Sequence, residues 1–293
     1  MALWSGKSKG TPWGYSVFVA ILRRFGVLPA YALLRFVAFY FFLFSAKTSW
    51  PIFRFFRHRI GYGFWKSVWS VYKSYYQVGQ RIIDRVVVMA GIPSPFTFDF
   101  DGEENLREMV RGGRGGLLLS GHLGSWDVAG HLLERLGTTI HVVIFDGEHE
   151  QIKAYLDSVT GERNLGVIVI RDDLSHIYAI TEALKNGEFV CILADRFLDG
   201  TKTLTTEFMG TPARFPAGPF VLAAHFKVPV CWVFAAKESP THYHFFASKP
   251  VEYRHSKKAA LMQEMLTDFS QELEQKARVY PTQWFNFYDF WKQ

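Results

Sequence analysis

The string Ser120-Gly-His-Leu-Gly-Ser-Trp-Asp127 sets an imidazole and a carboxylate, His122 and Asp127, with four residues between them. A neutral imidazole can take the proton from a hydroxyl as it attacks, while a carboxylate orients the ring and steadies the imidazolium that forms. The spacing constrains where the two can sit. On one regular helix, residues five positions apart diverge by about 140°. The pair therefore meets only if His122 lies in a turn and Asp127 in the first turn of the following helix. Gly116–Ser120 reads as a short buried parallel strand, and 128–136 as a helix with apolar residues at helical spacing. Gly121 and Gly124 supply the backbone freedom for a tight strand-to-helix turn.

The elements that must hold this turn follow from the hydrophobic pattern. After Gly91-Ile-Pro93 the chain alternates strands, expected at 96–100, 116–120, 139–145, 167–170, 188–194, 228–235 and 243–248, with helices between several of them. A long terminal helix covers 256–279. That alternation predicts an α/β fold, a largely parallel twisted sheet flanked by helices on both faces. Before it, 63–88 reads as a long helix carrying an aromatic stripe of Phe64, Trp65, Trp69, Tyr72, Tyr75 and Tyr76. No internal repeat or low-complexity linker divides the chain. Residues 1–293 are expected to form a single domain with a membrane-embedded helical segment at about 15–45.

Composition supports that segment. Aromatic residues make up 17% of the 293, with 28 Phe and 9 Trp, and such an excess suits contact with lipid. Val27–Phe44 is apolar except for Pro29 and Arg35, at the lower edge of the length that crosses a bilayer. A spanning helix and a helix lying partly in one leaflet both fit. The net charge of +6 is unevenly spread: of 33 Lys and Arg, twelve precede the first carboxylate, Asp84, so the remainder carries 21 basic against 27 acidic residues. A basic, aromatic front suits an anionic membrane surface. Nucleic acid is not expected, because no nucleic-acid motif accompanies the charge. Cys191 and Cys231 lie in apolar runs and read as reduced core thiols, with no cysteine–histidine spacing typical of a metal site.

The His-x4-Asp string, with Trp126 beside the acid, resembles the glycerolipid acyltransferase superfamily. Within it, the likeness is to the lipid A biosynthesis (late, lauroyl- or myristoyl-type) acyltransferases and the phosphatidylinositol mannoside acyltransferases. Ala194-Asp-Arg196, Phe208-Met-Gly-Thr-Pro-Ala-Arg-Phe-Pro-Ala-Gly-Pro219 and Pro281-Thr-Gln-Trp-Phe285 are similar to that family's later blocks, and the likeness runs from about Gly14 to Trp291. The resemblance implies transfer of a fatty acyl chain from an acyl-carrier protein or coenzyme A thioester to a hydroxyl of a lipid or glycolipid. It implies no cofactor beyond that donor, and a place on the cytoplasmic face of the bacterial inner membrane. His122 and Asp127 would carry the chemistry. No Gly-x-Ser-x-Gly elbow signals a serine nucleophile.

Other residues are candidates for substrate binding. Arg171 closes one expected strand, and Asp195 and Arg196 follow another, so all three emerge at the carboxyl edge of the sheet, where open α/β folds bind ligands. Either arginine could hold a phosphate of the donor's pantetheine arm or of the acceptor headgroup. Asp195 has two readings, a second acid near His122 or a cap of the next loop. The segment 208–219 reads as a loop leading into a helix whose start is set by Pro216. Arg214 there could meet a phosphate or carboxylate, and Phe215 and Phe220 could line an acyl groove or pack the loop. Backbone N–H groups at the start of the helix after His122 are candidate oxyanion donors. Arg111-Gly-Gly-Arg-Gly-Gly116 precedes a strand, so it fails as a dinucleotide loop. His242 and His244 share a strand face without a third ligand. A non-catalytic anionic-lipid-binding protein and a thioester or lipid hydrolase are the alternative readings. Acceptor identity, oxygen or nitrogen acylation, chain length and oligomeric state are left open.

Overall fold

The computed structural model describes residues 20–89, 91–125, 128, 136–145, 165–170, 173, 175–197, 200–254 and 257–292. In chain order the front comprises α1 (Val27–Phe44), α2 (Ala46–Arg54), which continues into a π-helical turn at Phe55–Arg59, and α3 (Phe64–Met89). There follow β1 (Thr97–Asp101), α4 (Glu103–Gly112), β2 (Gly116–Ser120), β3 (Ile140–Phe145), β4 (Leu165–Ile170), α5 (Ser175–Lys185) and β5 (Phe189–Leu193). The rest is β6 (Thr203–Phe208), β7 (Thr211–Pro216), α6 (Gly218–Phe226), β8 (Val230–Ser239), β9 (His242–Ala247) and α7 (Lys258–Val279).

Seven strands form one sheet in the order β1-β9-β8-β2-β5-β3-β4. The five from β8 to β4 are mutually parallel, whereas β9 pairs antiparallel with β8 and β1 follows β9 in parallel. The expected α/β fold is therefore present, with two reversed strands at one edge. β2 sits between β8 and β5 and is buried on both faces, as a continuous Leu-rich run requires. Leu117 and Leu119 join the cluster under α6 and α7, while Leu118 joins Cys191, Cys231 and the α4 residues Leu106 and Met109 on the other face. Each such leucine contributes about 1.5–3 kcal/mol through burial. α7 seals its face with Leu261, Met265, Leu266, Phe269, Leu273 and Ala277, a single apolar stripe. Both thiols are buried and free, and burial pushes each up to about 12.

All seven sheet strands lie where the alternation places them, with β8 running on to Ser239. The helix expected at 128–136 falls mostly outside the described residues. The segment read as a loop at 208–219 is different. Thr203–Phe208 and Thr211–Pro216 form an antiparallel hairpin, and Pro216 ends β7 rather than starting the helix. α6 begins at Gly218, with Pro219 in its first turn. Its hairpin turn, Met209 and Gly210, has positive φ at both residues, the primed type, but lacks the Asn-Gly or Asp-Gly signature that would announce it. Phe215 and Phe220 do not line a groove. Both are fully buried, and Phe215 packs against Phe208, Phe269 and Phe290.

Candidate active site

Sheet order brings the site together. β2 and β5 are adjacent and parallel, with Ser120 opposite Leu193, so the residues that follow each strand leave the carboxyl edge side by side. The Ala194 N–H donates to the Ser120 carbonyl at 2.7 Å and holds the two exits in step. His122 and Asp195, 73 positions apart, thereby become neighbours. His122 Nδ1 lies 2.6 Å from Asp195 Oδ1, and the His122 backbone N–H donates to Oδ2 at 2.9 Å. Trp284 Nε1–H donates to the same Oδ2 at 3.2 Å. Among the described residues, the carboxylate that meets the ring is thus Asp195. Asp127, expected in that place, and Trp126 and Arg171 lie outside the described residues.

The turn itself is clamped by the C-terminal segment. Leu123 and Trp284 form an antiparallel bridge, the Gly124 N–H donates to the Gln283 carbonyl at 2.9 Å, and the Phe285 N–H donates to the His122 carbonyl at 2.9 Å. The Gln283 side chain is anchored on β8, accepting from the Lys237 N–H and donating to the Lys237 carbonyl, each at 2.8 Å. The Pro281-Thr-Gln-Trp284 string thus supports the His122 turn from below. Because the N–H groups of His122, Gly124 and Ser125 are each engaged, none of them is left to receive an oxyanion. At the start of the next helix the Val128 N–H donates to the Ser125 carbonyl at 3.0 Å, and 126–127 lie outside the described residues.

Gly124 has φ +68, and a Cβ there would lie 1.8 Å from the Ala235 carbonyl oxygen. No rotamer change relieves a clash with backbone. Gly124→Ala is expected to lower unfolding stability by at least about 2 kcal/mol, read as a shifted denaturation midpoint. A variant of native stability would show that the turn has more room than this geometry allows.

Electrostatics fix the state of the pair. Burial lowers the His122 pKa, the Arg196 guanidinium lowers it further, and Asp195 opposes both; the outcome is about 4. Burial works to raise Asp195, but the His122 ring, its hydrogen bonds and Arg196 outweigh it and hold the carboxyl at about 2. At neutral pH a neutral imidazole faces an ionised, acceptor-only carboxylate. Nδ1 must therefore carry the proton, which leaves the lone pair on Nε2. The side chain of His122 keeps 12% of its surface, so the ring is reachable from outside.

A pH dependence follows, with a defined sign. Between about 6.5, where an exposed histidine titrates, and 4, the unfolded chain binds a proton that the folded ring refuses. Stability is complete above 6.5 and falls on acidification through that window by about 3 kcal/mol. Asp195 adds a loss in the same direction from 3.8 towards 2. The acid limb of kcat/KM is expected near 4. Denaturation midpoints and rate profiles taken across this range check both, and an activity limb near 6.5 would contradict the burial argument.

The remaining candidates are placed as follows. Arg196 donates from its guanidinium to the Phe285 carbonyl, beside the ring it influences. Arg214 lies on β7, exposed, with Nε donating to Thr203 Oγ1 at 3.1 Å and its guanidinium over Phe197 at 5.4 Å. It therefore flanks the loop carrying Asp195 and Arg196. Arg81 was not singled out from sequence. It reaches from α3 over the Phe285 ring at 5.7 Å, and its charge also lowers the His122 pKa. His242 and His244 face carboxylates, pairing with Asp99, Asp101 and Glu238.

Comparison with known proteins shows the family. A family model described as bacterial lipid A biosynthesis acyltransferase matches residues 71–293, which include β2, the His122 turn, Asp195 and the C-terminal clamp. The phosphatidylinositol mannoside acyltransferases of two Mycobacterium tuberculosis strains are each 28% identical over 167 residues, covering 55% of this chain and 46% of theirs. The chain spans about half the length of these curated relatives.

Proposed function

This chain belongs to the bacterial lipid A biosynthesis acyltransferase family, and from that premise we propose that it moves a fatty acyl chain from an acyl thioester to a hydroxyl of a lipid or glycolipid. The contact between His122 Nδ1 and Asp195 carries this reading. In it, Nε2 removes the proton as the acceptor oxygen attacks the thioester carbonyl, and Asp195 holds the tautomer and steadies the imidazolium. A thiolate leaves readily, so no covalent intermediate on the protein is needed. Asp127 is retained as a second acid of the site on the strength of the His-x4-Asp string alone. Arg196 and Arg81 supply positive potential beside the ring, suited to a phosphate of the donor or of the acceptor headgroup. Arg214 and Arg171 are proposed as outer contacts to the same groups. The donor is an acyl-carrier protein or a coenzyme A thioester.

The reaction is placed at a membrane, on the cytoplasmic face of the bacterial inner membrane. Val27–Phe44 is long and apolar enough to cross a bilayer, and Phe36, Phe39, Trp50, Trp65 and Trp69 are exposed large hydrophobic residues nearby. Anionic headgroups would attract each adjacent Lys or Arg by about 1 kcal/mol.

The test is incubation of the purified protein with a radiolabelled acyl thioester and a total lipid extract. Label in lipid is the expected result. Label only in free fatty acid would mean hydrolysis, and lipid binding without any transfer would mean a non-catalytic lipid-binding protein; either overturns the proposal.

A further inference from the structure

α1 has the composition of a membrane-crossing helix and the surroundings of one that cannot leave the protein. Along one side it packs on α3 through Tyr31, Leu34 and Ala38. The approach is close: a Cβ on Gly79 would sit 2.4 Å from Leu34 Cδ1. For α1 to cross a bilayer in this packing, α3 would have to follow it, yet α3 exposes Lys66 and Lys73. Both cannot enter hydrocarbon unpaired.

A buried polar knot ties α1 to the sheet. The Tyr31 hydroxyl donates to Asp84 of α3 and accepts from Lys237 Nζ of β8 at 2.5 Å. Lys237 also pairs with Asp84, and Tyr243 of β9 donates to the same carboxylate. Asp84 is fully buried and the Lys237 side chain 7% exposed. Withdrawing α1 would strip this buried pair of one of its hydrogen-bond partners.

The outward face of α1 shows the complementary sign. Arg35, its ninth residue, is exposed between the exposed Phe36 and the preceding turn, about 12 Å along the axis from either end. In a crossing helix it would sit near the bilayer midplane. On a helix lying along one leaflet it can reach the headgroups with its stem in the apolar layer. The aromatic surface also does not stop at α1. Tyr72 of α3 lies against Phe39 at 6.4 Å, Phe42 at 6.3 Å and Trp69 at 4.8 Å, and a second chain of rings runs Trp50–Phe53–Phe64–Trp65. Three helices thus share one aromatic platform, bordered by exposed Arg23, Arg24, Lys47, Arg57 and Lys66, with no acid before Asp84.

We infer that α1 lies in the plane of one leaflet and that the platform of α1, α2 and the first turns of α3 docks on an anionic lipid surface from one side only. This rests on the membrane placement proposed above, and not on the acyl-transfer chemistry. Its test uses two single cysteines, Arg23→Cys and Lys47→Cys, at exposed sites before and after α1; the native thiols are buried. Inverted inner-membrane vesicles and intact spheroplasts carrying the full chain are treated with a membrane-impermeant maleimide. Both cysteines are expected to label in inverted vesicles and neither in spheroplasts. Labelling from opposite faces would mean that α1 crosses, and would overturn the inference while leaving membrane attachment intact.

A second measurement addresses the shared platform. Partition of the purified protein onto vesicles of phosphatidylcholine with about 30 mol% phosphatidylglycerol is followed by sedimentation. The Trp65→Ala/Trp69→Ala double variant is expected to bind about tenfold more weakly at an unchanged thermal midpoint. Undiminished binding would overturn the shared platform. If the unmodified protein neither sediments with these vesicles nor fractionates with membranes, the membrane placement itself fails.

Discussion

Replacing His122 with alanine should lower turnover by at least about 10³-fold while the protein remains folded and still binds lipid vesicles. The size of the effect follows from the chemistry. An alcohol holds its proton far above neutral pH, and Nε2 of His122 is the base that the pair with Asp195 presents uncharged and unengaged by Asp195 at pH 7. Without it, acceptor and thioester can still bind, so KM for the donor should change little and the loss should fall on kcat. Some stability will also be lost, because Asp195 loses one of its three N–H donors and remains buried. That cost leaves two donors in place. A purified, folded His122→Ala protein retaining most of its turnover would remove the ring from the mechanism.

The second large effect belongs to Asp195→Asn, expected to cost about 10³–10⁴-fold in kcat with little change in overall structure. The amide is nearly isosteric, but it carries no charge and offers a donor where the carboxylate offers only acceptors. If the amide N–H₂ turns towards Nδ1, the ring proton moves to Nε2, and the atom that should receive the acceptor's proton becomes a donor. If it turns the other way, the imidazolium still loses its ionised neighbour at the moment it forms. Asp195→Glu restores the charge at a longer reach and should recover part of the rate. Equal rates for Asp195→Asn and the unmodified protein would show that the contact is only structural, and would return the orienting role to Asp127.

What the sequence disclosed about this site has a physical boundary. The buried strand Gly116–Ser120 was legible because a run of leucines between glycines has few other uses. Asp195 was visible only as a carboxylate at another strand's end. Its contact with His122 depends on β5 lying next to β2, a consequence of strand order that no local spacing encodes. The His-x4-Asp spacing points to Asp127, which lies outside the described residues. Trp284 and Gln283 sat in a noted string, but their roles arise from a bridge to residues 123–124 across the fold. Arg81 carried no local signal at all, being one basic residue on an amphipathic helix. The hairpin of β6 and β7 was hidden for a different reason, since its turn places methionine in the left-handed region, a position normally signalled by Asn or Gly.

The most direct observation is the state of one ring. Nitrogen-15 NMR of labelled protein, assigned by comparison with a His122→Gln variant, reports which nitrogen of His122 bears the proton. At pH 7 the account predicts a neutral ring protonated at Nδ1, with Nε2 unprotonated and titrating only near pH 4. An Nε2–H tautomer, or an imidazolium persisting at neutral pH, would contradict it.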